Sequence, residues 1–356
     1  MPELYIFSRD MPCNFSNATN GTGLVDSPFR YILFPVVYSL VFVVGLIANC
    51  YVLWVFKQMF KSEGVNEIKI YMINLVVADL LFVAALPLWI VYYIKEGNWL
   101  FPGFLCNISG SLFFINGYCS VSFLGVISFN RCRAVTKPLE TVKSTENKRG
   151  IVVSATIWIL TLASAFPSLF DDHLNSDGEL CRCFEGYHYQ DESAKKKVAV
   201  LNFVVIGMFF CVFLLVVVCN LLIIRTLLSQ TVKQQGSRKR GVKQRALWMV
   251  CAVLVVFVVC FIPHHIVQGP WTLAVLWGND KALNDAHQIT LCLMGLNCIL
   301  DPIVYCFATR KFQSYFLSRL KILNGSRKCS RYTSGVDGVA IQKLAEEQLK
   351  PPQSLA

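Results

Sequence analysis

The chain has 356 residues, of which 55% are hydrophobic, 13% aromatic and only 15% charged. A soluble domain carries roughly 25% charged residues, so this composition cannot coat a water-facing surface, and it disfavours a soluble enzyme. The net charge of +11 points either to nucleic acid or to the cytoplasmic face of a membrane, and its placement along the chain decides between them.

The stretch from Met1 to Arg30 is polar, so no cleavable signal peptide is expected. Seven apolar segments follow, at approximately Tyr31–Phe56, Ile68–Tyr93, Gly103–Ala134, Gly150–Phe170, Val198–Leu228, Ala246–Leu273 and Asp285–Phe307. Each reaches the roughly 20 residues needed to cross ~30 Å of hydrocarbon. Helices are expected, because backbone groups in lipid must be satisfied within their own segment, and a barrel would show alternating runs of about 10 residues. Pro35, Pro87, Pro167, Pro263, Pro270 and Pro302 fall inside or at the ends of these spans, where kinks are tolerated. Only eight of the 33 Lys and Arg residues (Arg9, Arg30, Lys95, Arg182, Lys195, Lys196, Lys197 and Lys281) lie in the N-terminal segment and the second, fourth and sixth connections. The positive-inside rule then puts the N-terminus outside and the basic charge on the cytoplasmic face, not on DNA.

Three sequons, Asn14-Phe-Ser, Asn17-Ala-Thr and Asn20-Gly-Thr, crowd the N-terminal segment and are expected to carry sugar. Cys13, Cys106, Cys181 and Cys183 lie on the same side. An oxidising exterior favours a bridge from Cys106 to the second outer loop, but the residues leave open whether Cys181 or Cys183 takes it. On the cytoplasmic side, Lys233 through Arg245 is basic and Gln/Ser-rich without apolar periodicity, which predicts a flexible extension. Phe312, Phe316 and Leu320 recur at four-residue spacing, which predicts an amphipathic helix on the membrane surface at 309–321. Cys329, just beyond it, is a candidate palmitoylation site. The expected architecture is an all-α membrane protein, a seven-transmembrane helix bundle over 31–308. It is preceded by a glycosylated segment (1–30) and followed by the short cytoplasmic helix and a disordered, phosphorylatable tail (322–356).

Polar residues at lipid depth are costly and mark function by default. Asn49 stands in span 1, Leu75-Val-Val-Ala-Asp79 in span 2, and Cys106 opens span 3, which ends in Asn130-Arg131-Cys132. Trp158 follows in span 4, Phe257-x-x-Cys-Phe-x-Pro263 in span 6 and Asp301-Pro-Ile-Val-Tyr305 in span 7. In this order the motifs make the chain resemble the rhodopsin-like (class A) G-protein-coupled receptors, over roughly Arg30 to Cys329. The resemblance implies a Cys106–Cys183 disulfide, heterotrimeric G proteins at the cytoplasmic face, and arrestin and receptor kinases at the tail. It also implies a G-protein switch of Asn130, Arg131 and Tyr305, and a mid-membrane convergence of Asp79, Asn116, Ser120, Asn297 and Asp301. Two carboxylates there need compensation, either by a sodium ion or by protonation of one carboxyl. No other cofactor or metal is expected: adjacent histidines on a helix point about 100° apart, and no Glu or Cys completes a site.

Within that family, the runs Asn66-Glu-Ile-Lys-Ile, Leu86-Pro-Leu-Trp-Ile-Val-Tyr-Tyr93, Phe113-Phe-Ile-Asn116 and Asn284-Asp-Ala-His-Gln288 resemble receptors for an ether phospholipid, an alkyl-acetyl glycerophosphocholine. These couple to phospholipase-C-activating and cyclase-inhibiting G proteins. An amine receptor would place Asp where Phe113 stands, so choline is expected against aromatic faces: Tyr38, Trp89, Phe113, Phe114, Tyr118, Phe184 and Trp271. His264, His265, Gln268, His287 and Gln288 are expected to grip a phosphate or ester oxygen. A receptor of the same branch for another lipid mediator or a nucleotide is the alternative, although a nucleotide receptor would want a cation where Gln268 stands. Departures from the family are Asn130 for the usual Asp, Phe261 for Trp, and Asn202 where the ether-lipid receptors are expected to carry His.

Overall fold

The structure is a computed structural model that describes residues 27–63, 66–136, 146–170, 173–177, 180–185, 192–229, 237–277 and 281–308. The sequons at Asn14, Asn17 and Asn20, Cys13, the expected surface helix, Cys329 and the tail lie outside the described residues. Seven helical spans are long and apolar enough to cross a membrane. The first five are single helices: α1 (Arg30–Glu63), α2 (Glu67–Ile94), α3 (Gly103–Thr136), α4 (Glu146–Phe170) and α5 (Glu192–Ser229). The last two are broken. The sixth comprises α6 (Ser237–Val256), a π turn (Phe257–Phe261) and α7 (Ile262–Leu276), and the seventh comprises α8 (Lys281–Gly295) and α9 (Asn297–Ala308).

Each break has a chemical cause. Pro263 lacks an N–H and its ring crowds the carbonyl four residues back, so the preceding turn widens and Ile262 N–H reaches Phe257 O instead. In the seventh span the helix opens at Leu296, and beyond it Pro302 has no N–H to give Cys298 O; Asn49 in α1 replaces that donor, Nδ2 donating to Cys298 O at 2.8 Å and to Gly45 O at 3.0 Å. At the centre of the bundle stands α3, with 72% of its apolar window buried against 17% for the fifth span. Ile32, Leu160, Phe170, Leu214 and other large apolar side chains remain exposed around the outside, as a lipid-facing belt requires.

The basic stretch before the sixth span departs from expectation. From Ser237 onward it is helix, not a flexible extension. Lys, Arg and Gln are good helix formers, and an existing helix extends at one hydrogen bond per added residue.

A hairpin also stands where the sequence reading placed only a loop. β1 (Leu174–Asp177) pairs antiparallel with β2 (Leu180–Cys183) in the register Leu174↔Cys183, Asn175↔Arg182. Cys183 is disulfide-bonded to Cys106 at the start of α3, and Cys181 is disulfide-bonded too. Trp99 N–H donates to Cys181 O at 2.8 Å, and Arg182 Nη1 reaches Tyr31 Oη, Glu96 O and Gly97 O at 3.2–3.3 Å. Gly97 has φ +77°, and a Cβ there would fall 1.9 Å from Arg182 Nη1, so both the turn and the guanidinium demand glycine.

Beyond the hairpin, Glu185 closes an ion pair with Arg30 at the start of α1, both side chains 1% exposed. Arg30 Nε also lies 3.8 Å from Asp285 in α8, whose carboxylate accepts from Ser27. Neutralising one member of a buried pair strands the other, at a cost of ~3–5 kcal/mol. Arg30→Gln is therefore expected to lower the melting temperature of the detergent-solubilised protein by several degrees. Arg30→Gln with Glu185→Gln should recover most of the loss, as read by thiol-reactive dye unfolding.

Candidate functional site

Two groups of side chains meet in the half of the bundle nearest the hairpin. The first is aromatic. Tyr38 of α1, Trp89 of α2 and Phe113 of α3 are 1%, 6% and 6% exposed. Phe113 lies 5.3 Å from Trp89 and 5.9 Å from Tyr38, ring centre to ring centre and edge to face in both pairs. Phe82 closes this group from below at 4.6 Å, and Trp99 covers Trp89 at 5.7 Å. Trp89 Nε1–H is buried without a hydrogen-bond partner among the described residues.

The second group is polar and spans α5, α7 and α8. His265 stacks on Phe209 at 3.7 Å and 9°, and its Nδ1 lies 2.8 Å from Phe261 O. A carbonyl only accepts, so Nδ1 carries the proton and Nε2, buried and unpartnered, presents a lone pair. His264 follows the same logic. Thr290 gives its only hydroxyl proton to His287 O at 2.9 Å, so it can only accept from His264 Nδ1, 3.5 Å away. As neutral rings, His264 and His265 thus present acceptors, not the donors expected of them, and an anion would need them protonated. His287, stacked on Trp271 at 4.0 Å, keeps Nδ1 without a partner, and Gln288 accepts Tyr93 O–H at 3.2 Å, which turns its amide N–H groups elsewhere. Gln268 donates to Asn202 Oδ1 at 3.2 Å, and Asn202 donates to Thr272 Oγ1 at 3.1 Å, so asparagine in the fifth span joins the network by amide hydrogen bonds.

The groups touch where Tyr93 meets Gln288 and where Tyr118 meets His265, edge to face at 5.7 Å. Not every expected wall belongs to the aromatic group. Trp271 packs with Val275, Val198 and Leu283 on the histidine side. Phe114 pairs with Tyr118 at 4.5 Å, and Phe184 stacks on His173 and lies on Gly110, where a Cβ would come 2.2 Å from its ring. Tyr93, Phe209, Thr290 and Thr272 were not singled out from the sequence. Tyr93 stood inside a quoted motif, whereas nothing in the uniformly apolar fifth span distinguishes Phe209 from its lipid-facing neighbours.

At mid-bundle Asn116 Nδ2 donates to Asp79 Oδ1 at 2.9 Å. Asp79, Ser120, Asn297 and Asp301 are 0% exposed, and Asn116 is 2% exposed. Asp79 Oδ2, Ser120 Oγ, both carboxylate oxygens of Asp301 and the amide oxygen of Asn297 have no hydrogen-bond partner among the described residues. At the far end of α3, Asn130 and Arg131 are described, with Asn130 Nδ2 3.4 Å from Glu67 Oε1, whereas the Tyr305 side chain is not.

A model of the 7 transmembrane receptor (rhodopsin family) matches residues 48–305. The chain belongs to that family. It is a G-protein-coupled receptor and not an enzyme, and as such a multi-pass protein of the plasma membrane. It is 54% identical over 325 residues to the platelet-activating factor receptor of Cavia porcellus, covering 88% of this chain and 93% of that one. The corresponding receptor of Homo sapiens is 52% identical over 320 residues, 87% and 92% of the two chains. Cysteinyl leukotriene receptor 1 of Sus scrofa is 34% identical over 308 residues, 85% and 87% of the two.

In a receptor of this family, the mid-bundle cluster has the chemistry for a hard monovalent cation: several buried oxygens, three of them from carboxylates. Asp79, Ser120, Asn297 and Asp301 are the residues that would hold it, with Asn116 fixing the Asp79 carboxylate. Asp79→Asn is expected to abolish any dependence of agonist affinity on sodium concentration. Identical curves in sodium and in an organic cation for the unmodified receptor would leave the protonated-carboxyl reading instead.

Proposed function

We propose that this receptor responds to an alkyl-acetyl glycerophosphocholine, platelet-activating factor, and signals through phospholipase-C-activating and cyclase-inhibiting G proteins. The observation that carries the reading is the pairing of a buried aromatic group with an adjoining polar one, in a chain 50–54% identical to receptors bearing that ligand's name. A quaternary ammonium cannot donate a hydrogen bond. Each aromatic face of Tyr38, Trp89 and Phe113 offers it ~0.5–2 kcal/mol without the desolvation cost of a buried ion pair. Phosphate and ester oxygens need donors instead. Gln288 Nε2 and His287 supply them directly, and His264 and His265 supply them when protonated. Phe114, Tyr118, Phe184, Gln268 and Trp271 complete the walls.

The proposed orientation has an extracellular N-terminus glycosylated at Asn14, Asn17 and Asn20, supported by the basic residues gathered on the opposite face. Residues 309–321 then lie on the cytoplasmic leaflet, Cys329 is palmitoylated, and the tail beyond recruits receptor kinases and arrestin. Ligand contacts near His265 bear on Phe261 in the π turn, and so on the outward swing of the sixth span that presents Arg131, with Asn130 and Tyr305, to a G-protein helix.

Calcium release in cells expressing the receptor tests the reading, with the ether lipid set beside its deacetylated form, a cysteinyl leukotriene and ATP. A nanomolar response to the ether lipid alone is expected; a stronger response to the leukotriene or to ATP favours the alternative ligand. His265→Phe, which keeps the stack on Phe209, is expected to cost little potency. Gln288→Leu, which removes a donor to a charged oxygen, should cost roughly tenfold or more.

A further inference from the structure

The end of the bundle opposite the hairpin contains a buried carboxylate that nothing above uses. Glu67 is the first residue of α2, 5% exposed, behind an Asn66 cap whose Oδ1 accepts from Lys69 N–H at 3.0 Å. Three different helices converge on it. Oε1 accepts Tyr71 O–H at 2.6 Å from its own helix, Arg149 Nε–H at 2.9 Å from α4 and Asn130 Nδ2–H at 3.4 Å from α3, while Oε2 pairs with Arg149 Nη2. The backbones are close there: a Cβ on Gly150 would lie 3.2 Å from Glu67 Cα.

The donor from α3 is the side chain that differs from the family pattern. An ionised aspartate at 130 could only accept hydrogen bonds, and would place a second carboxylate against Glu67. Asparagine donates, so Asn130 and Glu67 are complementary where Asp and Glu would repel. The arginine next in sequence, Arg131, is the residue that a G protein must reach in the reading above.

We propose that Glu67 is a positioning residue of the switch: held by Arg149, it restrains the Asn130–Arg131 end of α3 through Asn130, in place of the acidic neighbour that the arginine lacks. The restraint therefore runs between α3 and the α2–α4 pair, not within α3. Agonist binding must break the Asn130–Glu67 hydrogen bond, while the Glu67–Arg149 pair stays intact as a fixed anchor. The proposal rests on the receptor reading but not on the identity of the ligand.

The test is ligand-independent G-protein activation in membranes from cells with matched surface expression, so an error in the agonist assignment does not touch it. Glu67→Ala should raise basal nucleotide exchange several-fold, with a limit on the order of tenfold for one lost charge-assisted hydrogen bond. Asn130→Asp should also raise it, and Asn130→Asp with Glu67→Gln should return it part of the way, because the amide introduced at 67 then donates to the carboxylate at 130 while its oxygen can still accept from Arg149. A purely structural role for Glu67 would lower surface expression without raising basal exchange and would give no rescue. Lower basal exchange in Asn130→Asp whatever stands at 67 would mean that an acid at 130 restrains Arg131 directly, and would overturn the proposal.

Discussion

Hydrocarbon offers no hydrogen bonds, and most of this structure follows from that. A helix satisfies itself, but two of the seven spans are broken, and every backbone group the breaks release has to be met from inside the protein. The π turn before Pro263 meets its own need by an N–H that reaches five residues back. In the seventh span the carbonyl that Pro302 cannot serve, Cys298 O, is met by Asn49, from a helix nearly 250 residues earlier in the chain. Both breaks lie in the spans that carry His264, His265, His287 and Gln288, so the irregular backbone and the polar side chains share one region. Irregularity in lipid is tolerated only where protein surrounds it, and there the molecule can also keep side chains that need a partner.

The polar groups fall into three levels along the bundle. Near the hairpin, the disulfide from Cys106 and the charges around Arg30 fix the loop to α1, α3 and α8. At the middle, Asp79 and Asp301 share a set of buried oxygens. At the far end, Glu67 gathers donors from three helices. α3 contributes to every level, through Cys106, then Asn116 and Ser120, then Asn130.

Much of this was legible in the sequence, and what was not follows a pattern. The second span was expected at Ile68–Tyr93 and runs Glu67–Ile94, because length and apolarity define a membrane helix almost completely. Asp79, Asn116, Ser120, Asn297 and Asp301, expected together from resemblance, are all buried, and Asn116 bonds Asp79. Periodicity gives a helix a face but not a neighbour, so the Tyr93–Gln288 and Asn202–Gln268 bonds could not be read. Charges at span ends were counted for orientation, and their mutual pairing, Arg30 with Glu185 and Glu67 with Arg149, went unseen. The hairpin in the second outer loop went unread because its strands are only four residues each, too short for an alternating pattern to stand out. Which ring nitrogen of His264 and His265 holds the proton depends on a carbonyl and a threonine that come near only in three dimensions, so their roles as donors could not be read from the sequence.

Arg30 has a consequence for how the molecule is made. It leaves the ribosome among the first residues, whereas Glu185 follows when the fourth span is complete and Asp285 only with the seventh. The charged cluster around Arg30 is therefore complete only once the seventh span has been made. The last span supplies the final charge at the head of the first, and a chain stopped before residue 285 lacks that contact.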